Sequence, residues 1–104
     1  MASKFIEQYR LQITEGTPQK AYISCWANGE FQGYMDFYEP GNVPKPRITS
    51  NGSFHIPYPV DRLDAVLSTL REESPLYLQI ITIGNIVRGV LSTTQEPIGE
   101  EEGI

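Results

Sequence analysis

Cys25 and His55 are the single cysteine and the single histidine of this chain, and they are the side chains best suited to nucleophilic or proton-transfer chemistry near neutral pH. A nucleophilic site needs a base within hydrogen-bond reach of its nucleophile, so these two invite comparison. Their surroundings argue against a partnership. Cys25 lies in a β-rich run beside Trp26, which is the setting of a small buried hydrophobe rather than of an exposed, activated thiol. His55 alternates with Phe54 and Ile56 and is expected to face away from them, toward solvent or the rim of a pocket. Together they cannot form a structural zinc site, which takes four such ligands. The sequence has no Walker loop and no dinucleotide fingerprint, because its glycines are scattered at turns. The acid pairs Asp61/Asp64 and Glu72/Glu73 fall at the ends of a helical stretch, where solvated carboxylates are ordinary. A shallow site of Asp36, Tyr34 and His55 is the one catalytic combination left. The expectation is a non-enzymatic protein with no catalytic residue, no metal and no cofactor.

Binding is the other chemistry to weigh. Aromatic side chains interleaved with cations are what single-strand nucleic-acid readers use, and Lys20, Tyr34, Tyr38, Lys45 and Arg47 would form such a strip. The charge opposes it, since the formal net charge is −5 and no basic cluster exists. That charge is uneven. Glu96, Glu100, Glu101 and Glu102 are four of the 13 acids, and without them 9 acids face 8 bases, a net of −1. The body is nearly neutral and the C-terminal stretch carries the acidity. Aromatic residues on a hairpin are also more simply read as core and cross-strand pairs.

The elements that would position these residues can be read from pattern. Residues 5–13 alternate, with Phe5, Tyr9, Leu11 and Ile13 on one face and Gln8, Arg10 and Gln12 on the other, as in a half-buried strand. After a turn at 15–19, Asn28-Gly29 supplies the two positive-φ residues of a tight hairpin. That turn pairs Ala27 with Glu30 and Trp26 with Phe31, and unbroken pairing then sets Tyr22 across from Met35. The expected core face is Tyr22, Ser24, Trp26, Phe31, Gly33, Met35 and Phe37. The prolines of 40–46 mark a surface loop. Residues 52–58 read as a strand burying Phe54, Ile56 and Tyr58, with Pro57 placing it at an edge or ending it. A helix follows from about Asp61 to Glu73 on the stripe Leu63, Val66, Leu67 and Leu70, with Asp61 as its cap and Ser74-Pro75 as its stop. A second hairpin turns at Gly84-Asn85. Its first strand is apolar on both faces, and one helix covers only one sheet face. Leu78, Ile80, Ile81 and Ile83 are therefore expected to form a homodimer interface.

Gly33…Phe37-Tyr38, the run Leu70-Arg71-Glu72-Glu73-Ser74-Pro75-Leu76-Tyr77, and Glu96-Pro97-Ile98-Gly99-Glu100-Glu101-Glu102 resemble a group of small uncharacterised bacterial proteins. That group is similar in having a strand-rich start, one helix, a further strand and an E-P-[VI]-G-E-x-E end; the resemblance implies no activity, catalytic residue or cofactor. In plan, four antiparallel strands followed by a helix are also similar to the coactivator/Whirly type of single-stranded-DNA-binding domain. One cysteine allows no intrachain disulfide, and no apolar run nears the roughly 18 residues of a membrane span, so a cytoplasmic protein is expected. The fold expected is α+β, a single antiparallel sheet of about five to six strands with one helix packed on one face. One domain spans 1–99, with Ile98 docked on it, and 100–104 form a flexible acidic terminus. The function expected is a homodimeric protein-interaction or regulatory module, with single-stranded nucleic-acid binding as the alternative and no membrane.

Overall fold

The computed structural model describes residues 2–93; the expectations for Ile98 and for the acidic terminus lie outside them. The chain is α+β as expected, but its strands form two sheets rather than one. A three-stranded sheet has the order β1 (Ala2–Ile6), β7 (Leu76–Ile83), β8 (Ile86–Thr93). A five-stranded sheet has the order β2 (Gln8–Ile13), β3 (Gln19–Ala27), β4 (Glu30–Tyr38), β6 (Phe54–Pro59), β5 (Arg47–Ile48).

The first extended run is shared between the two sheets. It leaves β7 at Ile6 and joins β3 at Gln8, and this crossing breaks the alternation. Ile6 enters the core and Phe5 is exposed, the reverse of the face expected for residue 5. Beyond the crossing Tyr9, Leu11 and Ile13 pair with Cys25, Ile23 and Ala21, but only Leu11 of the three packs on the core, and Tyr9 and Ile13 are exposed.

The β3–β4 hairpin turns where expected, with Asn28 at φ 54° and Gly29 at φ 78°. Ala27 pairs with Glu30 and Trp26 with Phe31. Cys25 then pairs with Gly33, so Gln32 is an additional residue in β4. Such a β-bulge moves every later pair by one position. Ile23 consequently faces Met35, and Tyr22 faces Asp36. The expected core face is corrected accordingly: Ala21, Ile23, Cys25, Met35 and Phe37 enter the core, and Tyr22, Ser24 and Trp26 lie on the opposite face. Gly33 fits the bulge because a Cβ there would stand 2.2 Å from the carbonyl oxygen of Phe54.

β4 and β6 run parallel, which a purely antiparallel sheet does not allow. The proline-rich loop carries the chain past a hairpin return, and the two-residue β5 then pairs antiparallel with β6 opposite Phe54 and His55. Pro57 does not end the strand. With Pro59 it lies beyond β5, where a missing donor on that side leaves no ladder bond unmade. The resemblance in plan to a four-strand antiparallel domain does not hold against this topology.

After a short 3₁₀ turn at Val60–Arg62, α1 (Leu63–Glu72) buries Val66 and Leu67, with Leu63 and Leu70 packed beside them. Asp61 makes no capping bond. The core lies where the two sheets and α1 meet. Leu78 is fully buried there and Ile80 nearly so, opposite the inner face of the five-stranded sheet. The dimer surface expected from sequence is corrected on this point: the second sheet, absent from the expectation, covers Leu78 and Ile80, while Ile81 and Ile83 point the other way. Gly89 packs directly against the other sheet, since a Cβ there would stand 2.4 Å from Cγ2 of Ile56. None of the described helices is long and apolar enough to cross a membrane.

Candidate binding face

The face of the five-stranded sheet turned away from the core is built by register. β3 contributes Tyr22, Ser24 and Trp26, and β4 contributes Phe31, Tyr34, Asp36 and Tyr38. His55 of β6 lies beside Tyr34, and Arg47 of β5 lies beside His55. Arg10 of β2, paired with Ser24, stands near the opposite edge of the sheet and is held by the side chain of Gln12, whose Oε1 accepts from Nη2 at 3.0 Å.

Three polar residues are buried on this face, Asp36 at 1% exposure, His55 at 3% and Ser24 at 9%. The carboxylate is well supplied with donors. His55 Nε2 lies 2.7 Å from Oδ1, the Tyr38 hydroxyl donates to Oδ2 at 2.6 Å, and Gln19 Nε2 donates to Oδ2 at 3.0 Å. These bonds offset the desolvation of a buried carboxylate. They place a proton on His55 Nε2, so that in the neutral imidazole Nδ1 is the acceptor. Nδ1 is buried and has no hydrogen-bond partner among the described residues. Tyr38 is pushed up to about 12 by burial first, then by its bond to Asp36 and the charge there, with Arg47 pulling it back. At neutral pH it is a stable donor to the carboxylate.

Aromatic rings continue from this centre to the hairpin end. The Tyr34 ring lies 4.6 Å from the imidazole, centroid to centroid, inclined by 34°. Tyr34 also meets Tyr22 at 6.4 Å and Phe31 at 6.2 Å, and Phe31 meets Trp26 at 5.9 Å. Phe31 is 41% exposed, and Trp26, Tyr22, Tyr34 and Tyr38 are half-buried. The result is a contiguous row of partly exposed rings over a buried polar centre.

The expected site residues divide. Asp36, Tyr34 and His55 come together, although His55 is buried rather than facing solvent. Of the expected cationic-aromatic strip, Tyr34, Tyr38 and Arg47 share the face. Lys20 lies in the β3 irregularity between Gln19 and Ala21 and pairs with Glu39 at 3.2 Å, and Lys45 stays in the exposed loop. Cys25 and His55 are on opposite faces of the sheet. Burial pushes the Cys25 thiol up to about 12, so at neutral pH it is neither a nucleophile nor a partner for the imidazole. No group of three or more metal-binding side chains occurs among the described residues. Trp26, Phe31, Arg10 and Gln19 were not marked by the sequence as members of this face; the glycine after Gln32, in a hairpin otherwise made of β-formers, is the one local sign of the bulge that brings Tyr34 onto the face of Tyr22, Trp26 and Phe31.

Two concavities lie elsewhere. One, of about 230 Å³, sits where β1 passes into β2 and includes Ile6, Leu70, Leu76 and Arg71. The other, of about 360 Å³, lies beside α1 between Tyr58 and Leu91. Neither holds a thiol or an imidazole. Comparison of the chain with protein-family models, curated proteins and solved structures gives no match.

Proposed function

We propose that this chain is a non-enzymatic binding domain that uses the aromatic outer face of the five-stranded sheet, and that single-stranded nucleic acid is the ligand this face fits best. The row Trp26–Phe31–Tyr34–Tyr22, only partly buried and flanked by Arg10 and Arg47, carries the reading. Bases stack on such rings whatever their identity, each worth about 1–3 kcal/mol, and guanidinium groups at both sides meet phosphates. The near-neutral body permits this, and the acidity of residues 96–102 keeps it weak. Against an enzyme stands the burial of the one imidazole and the one thiol on opposite faces. The reduced, buried cysteine suits a cytoplasmic setting. The test is fluorescence anisotropy with labelled single-stranded oligonucleotides in about 50 mM salt. Binding that weakens on Tyr34→Ala and Phe31→Ala, in variants that melt as cooperatively as the parent, supports the reading; no binding at that salt removes it.

A second reading, a homodimeric protein-interaction or regulatory module, is favoured by the other sheet. Ile83 and Ile86 pair across the β7–β8 turn at 63% and 62% exposure, with Ile81 on the same face. Phe5 and Tyr77 extend that face at 5.8 Å between rings. Sedimentation at micromolar concentration should then give twice the 11.7 kDa of the chain, and a monomer there excludes it.

A further inference from the structure

Stacking alone does not account for the centre of the aromatic face. Rings that only bind rings are served by apolar neighbours beneath them, yet the sheet buries a carboxylate and an imidazole there. The network satisfies both oxygens of Asp36 and the Nε2–H of His55, and leaves one atom over. In the neutral imidazole Nδ1 is a lone-pair acceptor, buried and without a partner among the described residues, in a residue only 3% exposed. The carboxylate behind the ring raises its strength as an acceptor, because it draws positive character onto the N–H side of the imidazole. Tyr34, half-buried and lying against the imidazole, is part of what covers it.

We infer that His55 is the reading group of this face: an unpaired nucleobase stacks on the Phe31 and Tyr34 rings, the Tyr34 side chain turns to admit its edge, and the base donates an amino or imino N–H to His55 Nδ1. The inference rests on the single-strand reading and adds what the face reads. With the imidazole neutral, the bond from Nε2 to Asp36 makes Nδ1 the acceptor. A base edge offering a donor is selected, and one offering acceptors alone at that edge is refused. Tyr38 and Gln19 act as positioning residues that hold the carboxylate in place.

The experiment compares a labelled adenine oligonucleotide with the same oligomer carrying N6,N6-dimethyladenine, which keeps the ring and loses the donor. The native chain should bind the unmodified oligomer about tenfold more tightly. His55→Phe keeps a ring against Tyr34 while removing the Nδ1 acceptor, and it should bind both oligomers alike, at the affinity of the methylated one. Should that variant fold poorly, nitrogen NMR of the native imidazole gives the same answer. The Nδ1 resonance should move upfield, as for a nitrogen accepting a hydrogen bond, with the unmodified oligomer and stay in place with the methylated one. Equal binding of the two oligomers by the native chain, with Tyr34→Ala still weakening both, overturns the role of His55 and leaves the stacking face standing. No binding of either oligomer overturns both.

Discussion

Asp36 is a buried carboxylate with three donors, and its removal strands the buried Nε2–H of His55, while Tyr38 and Gln19 are half-buried. Asp36→Ala should destabilise the domain by about 1–3 kcal/mol, the cost of a buried donor left unsatisfied, against the 5–15 kcal/mol that a small domain has in total. Urea titration measures it; a loss under about 1 kcal/mol would show that water replaces the network without penalty. Cys25 and Tyr38 set the alkaline limit. Both are held protonated by the fold, at about 12 against ordinary values of 9.0 and 10.0. The folded state therefore binds more protons than the unfolded chain at high pH, and stability falls as pH rises. The contribution of Cys25 is present in full below pH 9 and is lost on the way to about 12; that of Tyr38 is lost between 10 and about 12. Urea midpoints should decline from pH 9 upward, and Cys25→Ala should flatten the decline between pH 9 and 10. An unchanged slope would mean that the thiol reaches water in the native state.

Among the elements, those specified by neighbouring residues were legible in the sequence. Asn28-Gly29 and Gly84-Asn85 set their turns by backbone conformation, and the leucine and valine stripe of α1 set its buried face. Three features were not, because each depends on a distant strand. The crossing at Glu7, the bulge at Gln32 and the parallel pairing of β4 with β6 are decided by what lies alongside, and the first two reverse the faces that alternation predicts. The bulge matters most for the site, since it brings Tyr34 and Asp36 onto the face of Tyr22, Trp26 and Phe31. It depends on Gly33, where an added Cβ meets backbone, whereas at Gly89 it meets the side chain of Ile56. Gly89→Ala should cost about 1–3 kcal/mol as an overpacked core contact. Gly33→Ala should cost more, because the neighbouring strand itself must move. Thermal melts rank them, at about 4–8 °C per kcal/mol for a domain of this size. The reverse order would mean that β4 and β6 are less tightly joined than this register requires.

For the whole molecule, the two sheets divide the surface between an aromatic face and an aliphatic one, and the surplus of apolar residues in β7 is largely answered by the second sheet. Leu78 and Ile80 are inside, so the surface argument for a dimer rests on Ile81, Ile83 and Ile86 with Phe5. Charge further limits the nucleic-acid reading. With Lys20 paired to Glu39, Arg10 and Arg47 are the cations beside the rings, and two neutralised phosphates give a slope of log affinity on log salt of roughly −1.4. Stacking, then, supplies most of the affinity. A much steeper slope would place the ligand on other cations. Chemical-shift mapping of the uniformly ¹⁵N-labelled chain during titration with an unlabelled single-stranded oligonucleotide tests the central claim most directly. The account predicts shifts concentrated at Trp26, Phe31, Tyr34, His55 and Arg47, with Ile81, Ile83 and Ile86 unmoved. Shifts confined to the β7–β8 turn, or none at saturating oligonucleotide, would contradict it.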